Sequence, residues 1–469
     1  MKEMLQRVRF SMFVKLIFVA ILIAELKMPL LMIDSIIDER QTRQTEAERE
    51  VSQPWGGAQV VGGPILAVPY LQQERRHMAY VLPDSLTVTA AVTPEIRYRS
   101  IYEVILYTGT ITLTGGIPLP AVAGDGAAAP TFLWSEAELL VALSDMRGIS
   151  ENVRLQLPAG ERLFEPALQN RVGKALGGAA AANPGDDEWH AYRRSARQED
   201  GAPGVTMLRA PLALAAGPDG VLPFTVTLNL KGSGKLQFLP LGRETRVVMQ
   251  SPWPDPSFGG AFLPTTRTIT GDGFAAEWQV YYLSRNIPQQ WSENELADIG
   301  AGRSAFGVEF IYPVDNYQRA TRAVKYGMMF IVLTFLAFFL FEVLQNLRIH
   351  PVQYVLIGAA LCLFYLLLLS LSEHLGFGTA YGLAALGIVL MIGGYCWAVL
   401  RTFGRALLMA AITAVLYGYL FVLLQLQDYA LLCGSLGLFI ILGLVMYVTR
   451  RINWYNPGDE GGAAPRQDA

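Results

Sequence analysis

The stretch YGMMFIVLTFLAFFLFEVLQN, residues 326–346, decides the fold, because an almost unbroken apolar sequence follows it. A helix needs about 20 predominantly apolar residues to cross the hydrocarbon core of a bilayer. Four further runs of comparable length follow, at residues 351–371, 378–400, 403–426 and 428–449. Their connections are only a few residues long, which favours antiparallel neighbours. The pattern predicts a bundle of five transmembrane helices over residues 323–450.

A sixth apolar run lies at residues 10–33, after a start that carries three basic residues, Lys2, Arg7 and Arg9. The run is longer than the apolar core of a secretory signal peptide, and no convincing cleavage site follows it. It predicts an uncleaved signal-anchor helix within residues 1–37, preceded by a cytoplasmic N-terminus.

Four ionisable residues within these apolar runs are unusual. A charge at the centre of the bilayer costs about 2.5–3.5 kcal/mol on insertion scales. Lys15 is close enough to the start of its run to reach the inner headgroups. Glu25 and Lys27 either reach the outer interface or face the bundle and pair with polar groups there. Glu342 lies about one turn from the inner end of its run. Glu25, Lys27 and Glu342 are the candidate intramembrane polar residues.

In residues 38–322, a charged helical entry segment is followed by a region in which apolar residues recur at every second position. Apolar residues alternate with polar ones at residues 86–92, 153–157 and 224–230, which is the pattern of half-buried strands. Many prolines and glycines separate these runs. We therefore predict a large all-β, sandwich-like extracytoplasmic domain.

Turn and loop signals subdivide this domain. Gly232, Ser233 and Gly234 precede another short strand, which predicts a β-hairpin. The Gly/Ala/Pro-rich stretches at residues 120–130 and 177–187 predict mobile loops, and the second is a candidate boundary between two lobes. Residues 451–469 predict a disordered cytoplasmic tail.

Composition excludes several classes of protein. Charged residues make up 16% of the chain, against about 25% in soluble domains. The net charge of −3 and the lack of a basic cluster argue against a nucleic-acid partner. The three cysteines, Cys362, Cys396 and Cys433, are far apart in the apolar third. They predict neither a disulfide framework nor a metal site, and nothing indicates a cofactor.

The short loops predict the orientation in the membrane. Basic residues occur in alternate loops, at the N-terminus, at Arg348, at Arg401 and Arg405, and at Arg450 and Arg451. The intervening short loops carry no Lys or Arg. Cytoplasmic loops are enriched in these residues. Both termini are therefore predicted to be cytoplasmic, and the β-rich domain is predicted to lie in the periplasm of a bacterial inner membrane.

Four long motifs carry a family resemblance: IDSIIDERQTRQTEAEREVSQPWGGAQVVGGPILAVPY (residues 33–70), LKGSGKLQFLPLGRETRVVMQSPWPDPSFGGAFLP (230–264), EWQVYYLSRNIPQ (277–289) and EFIYPVDNYQRATRAVKYG (309–327). In this order they resemble the CreD family of inner-membrane, cell envelope integrity proteins of Gram-negative bacteria. The resemblance implies a role in envelope integrity and the envelope-stress response, linked to a two-component regulatory system. It implies no catalytic residue.

The motifs of common enzymes are missing. The sequence has no HExxH, no GxSxG and no SxxK accompanied by KTG. The segment Gly232–Lys235 lacks the spacing of a phosphate-binding loop. Asp255, Asp272 and Glu277 are most simply solvated loop charges. We therefore predict a protein that is not an enzyme and has no catalytic residues.

The loop SPWPDPSFGGAFLP, residues 251–264, is the candidate binding or docking segment, through Trp253, Phe258 and Phe262. Alternatively, these aromatic residues fill the core of their own domain or dock it to the bundle. The predicted partners are the lipid bilayer and either an envelope component or another membrane protein. The alternative function is a multi-pass transporter or channel for a small molecule, ion or lipid.

Overall fold

The computed structural model describes residues 2–118, 120, 130–167, 172, 176, 205–214, 220–285, 287–293, 301–312, 316–345, 349–426 and 429–450, and for residues 2–13 only the backbone. The predicted mobile loops, except Pro120 and Pro130 at their ends, and the predicted C-terminal tail lie outside these residues. The α-helices are α1 (Lys2–Glu25), α2 (Lys27–Trp55), α3 (Asn316–Leu344), α4 (Pro351–Leu375), α5 (Phe377–Leu400), α6 (Phe403–Gln425) and α7 (Ala430–Thr449).

The strands are β1 (Gln59–Gln72), β2 (Arg75–Val81), β3 (Ser85–Arg99), β4 (Tyr102–Pro118), β5 (Thr131–Phe132), β6 (Glu138–Leu143), β7 (Arg154–Leu157), β8 (Gly160–Leu163), β9 (Glu165–Pro166), β10 (Thr206–Pro211), β11 (Val221–Ser233), β12 (Lys235–Phe238), β13 (Glu244–Ser251), β14 (Pro256–Gly260), β15 (Thr266–Thr270), β16 (Gly273–Tyr281), β17 (Gln290–Ser292) and β18 (Phe306–Phe310).

The chain divides into two compact units. One contains residues 1–43 and 314–469, and the other contains residues 44–313. Within the described residues, six helical stretches are long and apolar enough to cross a membrane, the first formed by α1 and α2 together and the others by α3 to α7. This confirms the predicted fold class of an N-terminal apolar helix, a β-rich middle region and a C-terminal helical cluster.

A break at Leu26 separates α1 from α2. Its cause is Pro29, which has no N–H to donate and whose ring crowds the carbonyl four residues earlier, at Glu25. The Leu26 side chain is buried, and its Cδ1 would lie only 2.6 Å from a Cβ added at Gly358 of α4. The break is thus held against the helical unit by close packing.

The last helix, α7, packs very differently from α4. No residue of α7 is buried, whereas eleven residues of α4 are. The contact of α7 with α6 includes Tyr419, whose Oη donates to the Cys433 carbonyl oxygen at 2.7 Å. Gly437 permits this approach, because an added Cβ would meet Tyr419 Oη at 2.0 Å.

Within the described residues, the strands of the second unit form two sheets. The eight-stranded sheet has the order β15-β16-β13-β3-β4-β11-β7-β8, and the ten-stranded sheet is built on β14-β18-β12-β1-β6-β10-β9, with β2, β5 and β17 attached beside it. Alternate residues from both sheets form one core, with Tyr107, Trp278 and Phe306 fully buried at its centre. The predicted sandwich-like architecture follows from this shared core.

The predicted hairpin after β11 is wrong. β11 pairs with β4 and β7 in the eight-stranded sheet, whereas β12 pairs with β1 and β18 in the ten-stranded sheet. Gly234, with a φ of +64°, changes the chain's direction between them. The Gly-Ser-Gly turn therefore carries the chain from one layer of the sandwich to the other.

Candidate functional site

The three aromatic residues of the predicted docking loop contact the core of their own domain. The Phe258 ring lies 5.5 Å from the Phe274 ring and 5.7 Å from the Trp278 ring. The Phe262 ring lies 5.8 Å from the Phe306 ring. These arrangements are edge-to-face, which aromatic pairs favour in cores.

Trp253 is fixed in the same way. Its ring lies 5.8 Å from that of Tyr312, and its Nε1 donates to the carbonyl oxygens of Asp255 and Ile311 at 3.1 and 3.3 Å. All three predicted residues are half-buried, so a partner could contact only the remaining exposed part of each ring. This geometry fits the core-filling alternative.

Glu342, the predicted intramembrane carboxylate on α3, is buried. Its Oε1 forms an ion pair with Lys15 of α1 and accepts from the Ile349 backbone N–H at 3.2 Å. Its Oε2 accepts from Tyr354 Oη of α4 at 3.0 Å. The carboxylate therefore joins three helices through charge and hydrogen bonds.

Glu25 and Lys27 lie on either side of the helix break, and both side chains are exposed on the helical unit. Neither has a salt bridge among the described pairs. Whether they reach the outer interface stays a prediction.

A second polar cluster, which the sequence did not predict, lies at the other end of α4. Glu373 Oε1 accepts from Tyr317 Oη at 3.1 Å and lies 3.6 Å from Arg40 Nε of α2. Asn316 Nδ2 donates to the Ser372 carbonyl oxygen at 3.1 Å. Together with the Lys15–Glu342 pair, these contacts fix the N-terminal helices against α3 and α4.

The junction between α2 and β1 is also a polar cluster. The Trp55 ring lies between two cations, with Arg97 Cζ 4.0 Å and Lys231 Nζ 4.6 Å from its centre. Its Nε1 donates to the Tyr107 carbonyl oxygen at 3.4 Å. Gln59, which is completely buried, donates to the carbonyl oxygens of Asp145 and Lys231.

Asp145 completes this junction. Its carboxylate accepts from the Gly57 backbone N–H at 3.0 Å and from Arg147 Nη2 at 2.9 Å. Partial burial raises the pKa of Asp145, but the hydrogen bonds from Arg147 and Gly57 outweigh this effect, so the pKa lies below its ordinary value. The carboxylate stays ionised at neutral pH and holds the first loop of the domain.

The outward side of the eight-stranded sheet is rich in threonine. Thr87 and Thr89 of β3 pair with Thr114 and Thr112 of β4, and these pair with Thr225 and Thr227 of β11. The intervening residues of the same strands point into the core and are buried. We call this outward side of β3, β4 and β11 the threonine face.

An open hollow of about 530 Å³ continues the threonine face across β3, β13, β16 and β15; we call it the polar hollow, although Val92, Pro252 and Phe274 also line it. One margin of the hollow is a row formed by Ala91, Gln250, Ala275 and Thr268, which are neighbours in register on these four strands. The four residues are exposed. Thr93, Thr270 and Asp272 also line the hollow.

Small side chains create this hollow. Ala91 and Ala275 leave space on the surface where longer residues of the neighbouring row stand, such as Glu277, which accepts from Arg246 Nε at 2.7 Å. Of the three carboxylates considered from the sequence, only Asp272 lines the hollow, and Asp255 is not one of its lining residues.

The described part of the chain contains no group of three or more His, Cys, Asp or Glu residues that could hold a metal ion. Cys362 and Cys396 are buried and Cys433 is half-buried, and all three are free. The chemistry available in the polar hollow is therefore hydrogen bonding by hydroxyl, amide and carboxylate groups.

Comparisons with known proteins are consistent with these features. A family model described as inner membrane protein CreD matches residues 11–455. Inner membrane protein CreD of Escherichia coli (strain K12) is 32% identical over 443 residues, which cover 92% of this chain and 91% of that relative. A crystal structure described as a candidate protease from Parabacteroides distasonis is 12% identical, covering 71% of this chain and 59% of that one, with a TM-score of 0.20. A score this low carries no argument.

Proposed function

Because the chain belongs to the inner membrane protein CreD family, we propose that it supports the integrity of the cell envelope and the response to envelope stress. In this proposal the protein is not a catalyst, and it acts by binding an envelope component through its β-sandwich. Both termini are cytoplasmic and the sandwich is periplasmic, as the alternation of basic loops favours.

The observation that carries this proposal is the polar hollow on the eight-stranded sheet. A volume of about 530 Å³ is within the usual range of about 300–1,000 Å³ for ligand sites. The hollow presents polar groups without the arrangement of nucleophile, base and orienting group that catalysis needs. It therefore supports recognition rather than a reaction.

The junction at Trp55 supports the same proposal. The helix α2 ends in a residue that is stacked between Arg97 and Lys231 of the sandwich. The next residues, Gly57 and Gln59, are held by hydrogen bonds. The end of α2 and the loop before β1 are therefore held to the sandwich by defined contacts.

Complementation of a deletion strain under detergent or β-lactam stress tests the proposal. Ala275→Arg should abolish complementation at an unchanged protein level, because its long side chain occupies the hollow. Gln156→Arg, an equally exposed position on β7 of the same sheet outside the hollow, is the matched control and should complement. Full activity of Ala275→Arg would contradict the proposal.

The buried Glu342 favours a second candidate function, transport of an ion or small molecule. Ionisable groups within membrane helices often mark transport pathways. In a coupled transporter, Glu342→Gln would abolish complementation, whereas the exposed Glu25→Gln would not. If Glu342→Gln were inactive and Ala275→Arg active, transport would replace recognition as the better explanation.

A further inference from the structure

We propose that the polar hollow binds a linear, uncharged glycan, which lies across the strands. The inference rests on the proposed function and names the class of ligand for the same site. It follows from three properties of the hollow: the spacing of the aligned positions across its strands, the hydrogen-bonding chemistry of its polar groups and its low charge.

The spacing comes from the register of the strands. Ala91, Gln250, Ala275 and Thr268 occupy four adjacent strands. Neighbouring strands are about 4.8 Å apart, which is close to the length of one pyranose ring along an extended glycan. Successive sugars in such a chain would therefore meet equivalent positions on successive strands.

The polar groups match sugar hydroxyls. The hydroxyls of Thr93 and Thr268 can both donate and accept, and the Gln250 amide does the same through two atoms. The Thr270 hydroxyl donates to the Gly273 carbonyl oxygen at 3.1 Å and can still accept. Sugars present the same mixture of donors and acceptors. Ala91 and Ala275 leave room between these groups for the ring itself.

The charge argues against ionic ligands. Asp272 is the single charged residue among those that line the hollow. It disfavours an anionic ligand, and one exposed carboxylate contributes little affinity for a cation. Two ion pairs on the neighbouring strands, Arg246 with Glu277 at 2.7 Å and Arg97 with Glu95 at 2.8 Å, are each mutually neutralised. A neutral ligand is thus the best match.

The same row continues beyond the hollow. Ala91 pairs with Thr110 of β4, and Thr110 pairs with Asn229 of β11. Thr110 Oγ1 donates to Asn229 Oδ1 at 2.8 Å, so the polar groups of the row are already oriented. A longer glycan can therefore contact six strands, and affinity should increase from monomer to hexamer.

Binding by the full chain in lipid nanodiscs tests this inference, with isothermal titration and saturation-transfer NMR. The probes are a hexamer of β-linked N-acetylglucosamine, the monomer, and an extended neutral peptide of Ser, Thr and Gly. We expect the hexamer to bind more tightly than the monomer, with transfer to the sugar ring protons, and the peptide not to bind.

Variants locate the binding in the hollow. Ala275→Arg should weaken hexamer binding at least about tenfold, which corresponds to 1.4 kcal/mol, and Gln156→Arg should leave it unchanged. Thr268→Val, which removes one hydroxyl at constant shape, should weaken it about threefold to tenfold, as expected for one hydrogen bond. Thr225→Val, on the threonine face but outside the hollow, is its control. Thermal unfolding verifies that each variant is folded.

The outcomes are distinct. Absence of hexamer binding, or binding that Ala275→Arg does not affect, would overturn the inference. Binding of the peptide in place of the hexamer would also overturn it. If the hexamer fails to bind while Ala275→Arg still abolishes complementation, only the ligand class is wrong. If the hexamer binds but Ala275→Arg complements fully, the site stands and the proposed function fails.

Discussion

The ion pair between Lys15 and Glu342 makes a quantitative prediction about the helical unit. The Glu342 side chain is 9% exposed and that of Lys15 is 24% exposed. Breaking a buried pair by removing one partner costs about 3–5 kcal/mol, because the other charge stays buried without compensation. We expect Lys15→Met to lower the free energy of unfolding by about 3 kcal/mol, the lower end of that range, since Lys15 is partly exposed.

Replacing the other partner of the ion pair, Glu342, should lower the free energy of unfolding by less. Glu342→Gln keeps one side-chain acceptor, so it can still accept from either the Ile349 N–H or Tyr354 Oη but loses the other bond, and the freed Lys15 can extend to the headgroups. We expect a loss of about 1 kcal/mol, comparable with one hydrogen bond. The double variant should lose no more than Glu342→Gln alone, which gives a coupling energy of about 3 kcal/mol, at the upper end for residues in direct contact.

Unfolding of the full chain in mixed detergent micelles, followed by helical circular dichroism, measures these four free energies. Lys27→Met is the matched control, because Lys27 is an exposed lysine on α2. Its effect should stay within about 0.5 kcal/mol, as for surface positions in general. Losses for the double variant that equal the sum of the two single losses would refute the pairing.

Three predictions concern the sandwich, each measured as the thermal unfolding midpoint of the full chain. Trp55→Ala should destabilise the domain by about 2 kcal/mol, since it removes two cation–π contacts worth about 0.5–1 kcal/mol each and the associated packing; an unchanged midpoint would show that the stacking is unimportant. The pKa of Asp145 is lowered from 3.8, so the ionised carboxylate stabilises the folded domain fully above pH 3.8, and this stabilisation is lost as the pH falls through the lower pKa of the folded state. Asp145→Asn should therefore lose less stability than wild type when the pH is lowered. Parallel acid profiles of the two proteins would refute this. Gly232→Ala should lower the free energy of unfolding by about 1–3 kcal/mol through overpacking, because the new methyl group would lie 2.3 Å from the buried Tyr107 ring. The control Gly259→Ala, which has open space around it, should lower it much less. Equal losses would contradict the steric argument.

Periodicity predicted the architecture well because it reports local burial. The alternation at residues 86–92 matches alternating burial along β3, and the long apolar runs match the six candidate spans. Both signals depend on which face of an element meets water or lipid. This property is set within a few residues of sequence, so no knowledge of tertiary contacts was needed.

Pairing between distant segments could not be predicted in this way. The turn at Gly234 indicates a change of direction, but not that β12 leaves the sheet of β11 and pairs in parallel with β1. Likewise, the sequence identified Glu342 and Lys15 as unusual, yet their contact joins residues 327 positions apart. The aromatic loop had a clear local signal, and only the packing of Phe258 on Trp278 shows what that signal reports.

The polar hollow illustrates why a binding site can lack a motif. Ala91, Gln250, Ala275 and Thr268 come from four strands, and each is an ordinary residue for the outward side of a sheet. What distinguishes them is that register aligns small and uncharged side chains in one row, beside a row that contains Glu277, whose ion-pair partner Arg246 lies one row further on. A recognition surface for an uncharged ligand consists largely of space and hydroxyl groups. The informative unit is therefore the row across strands, which pairing creates and which no single strand of this sequence contains.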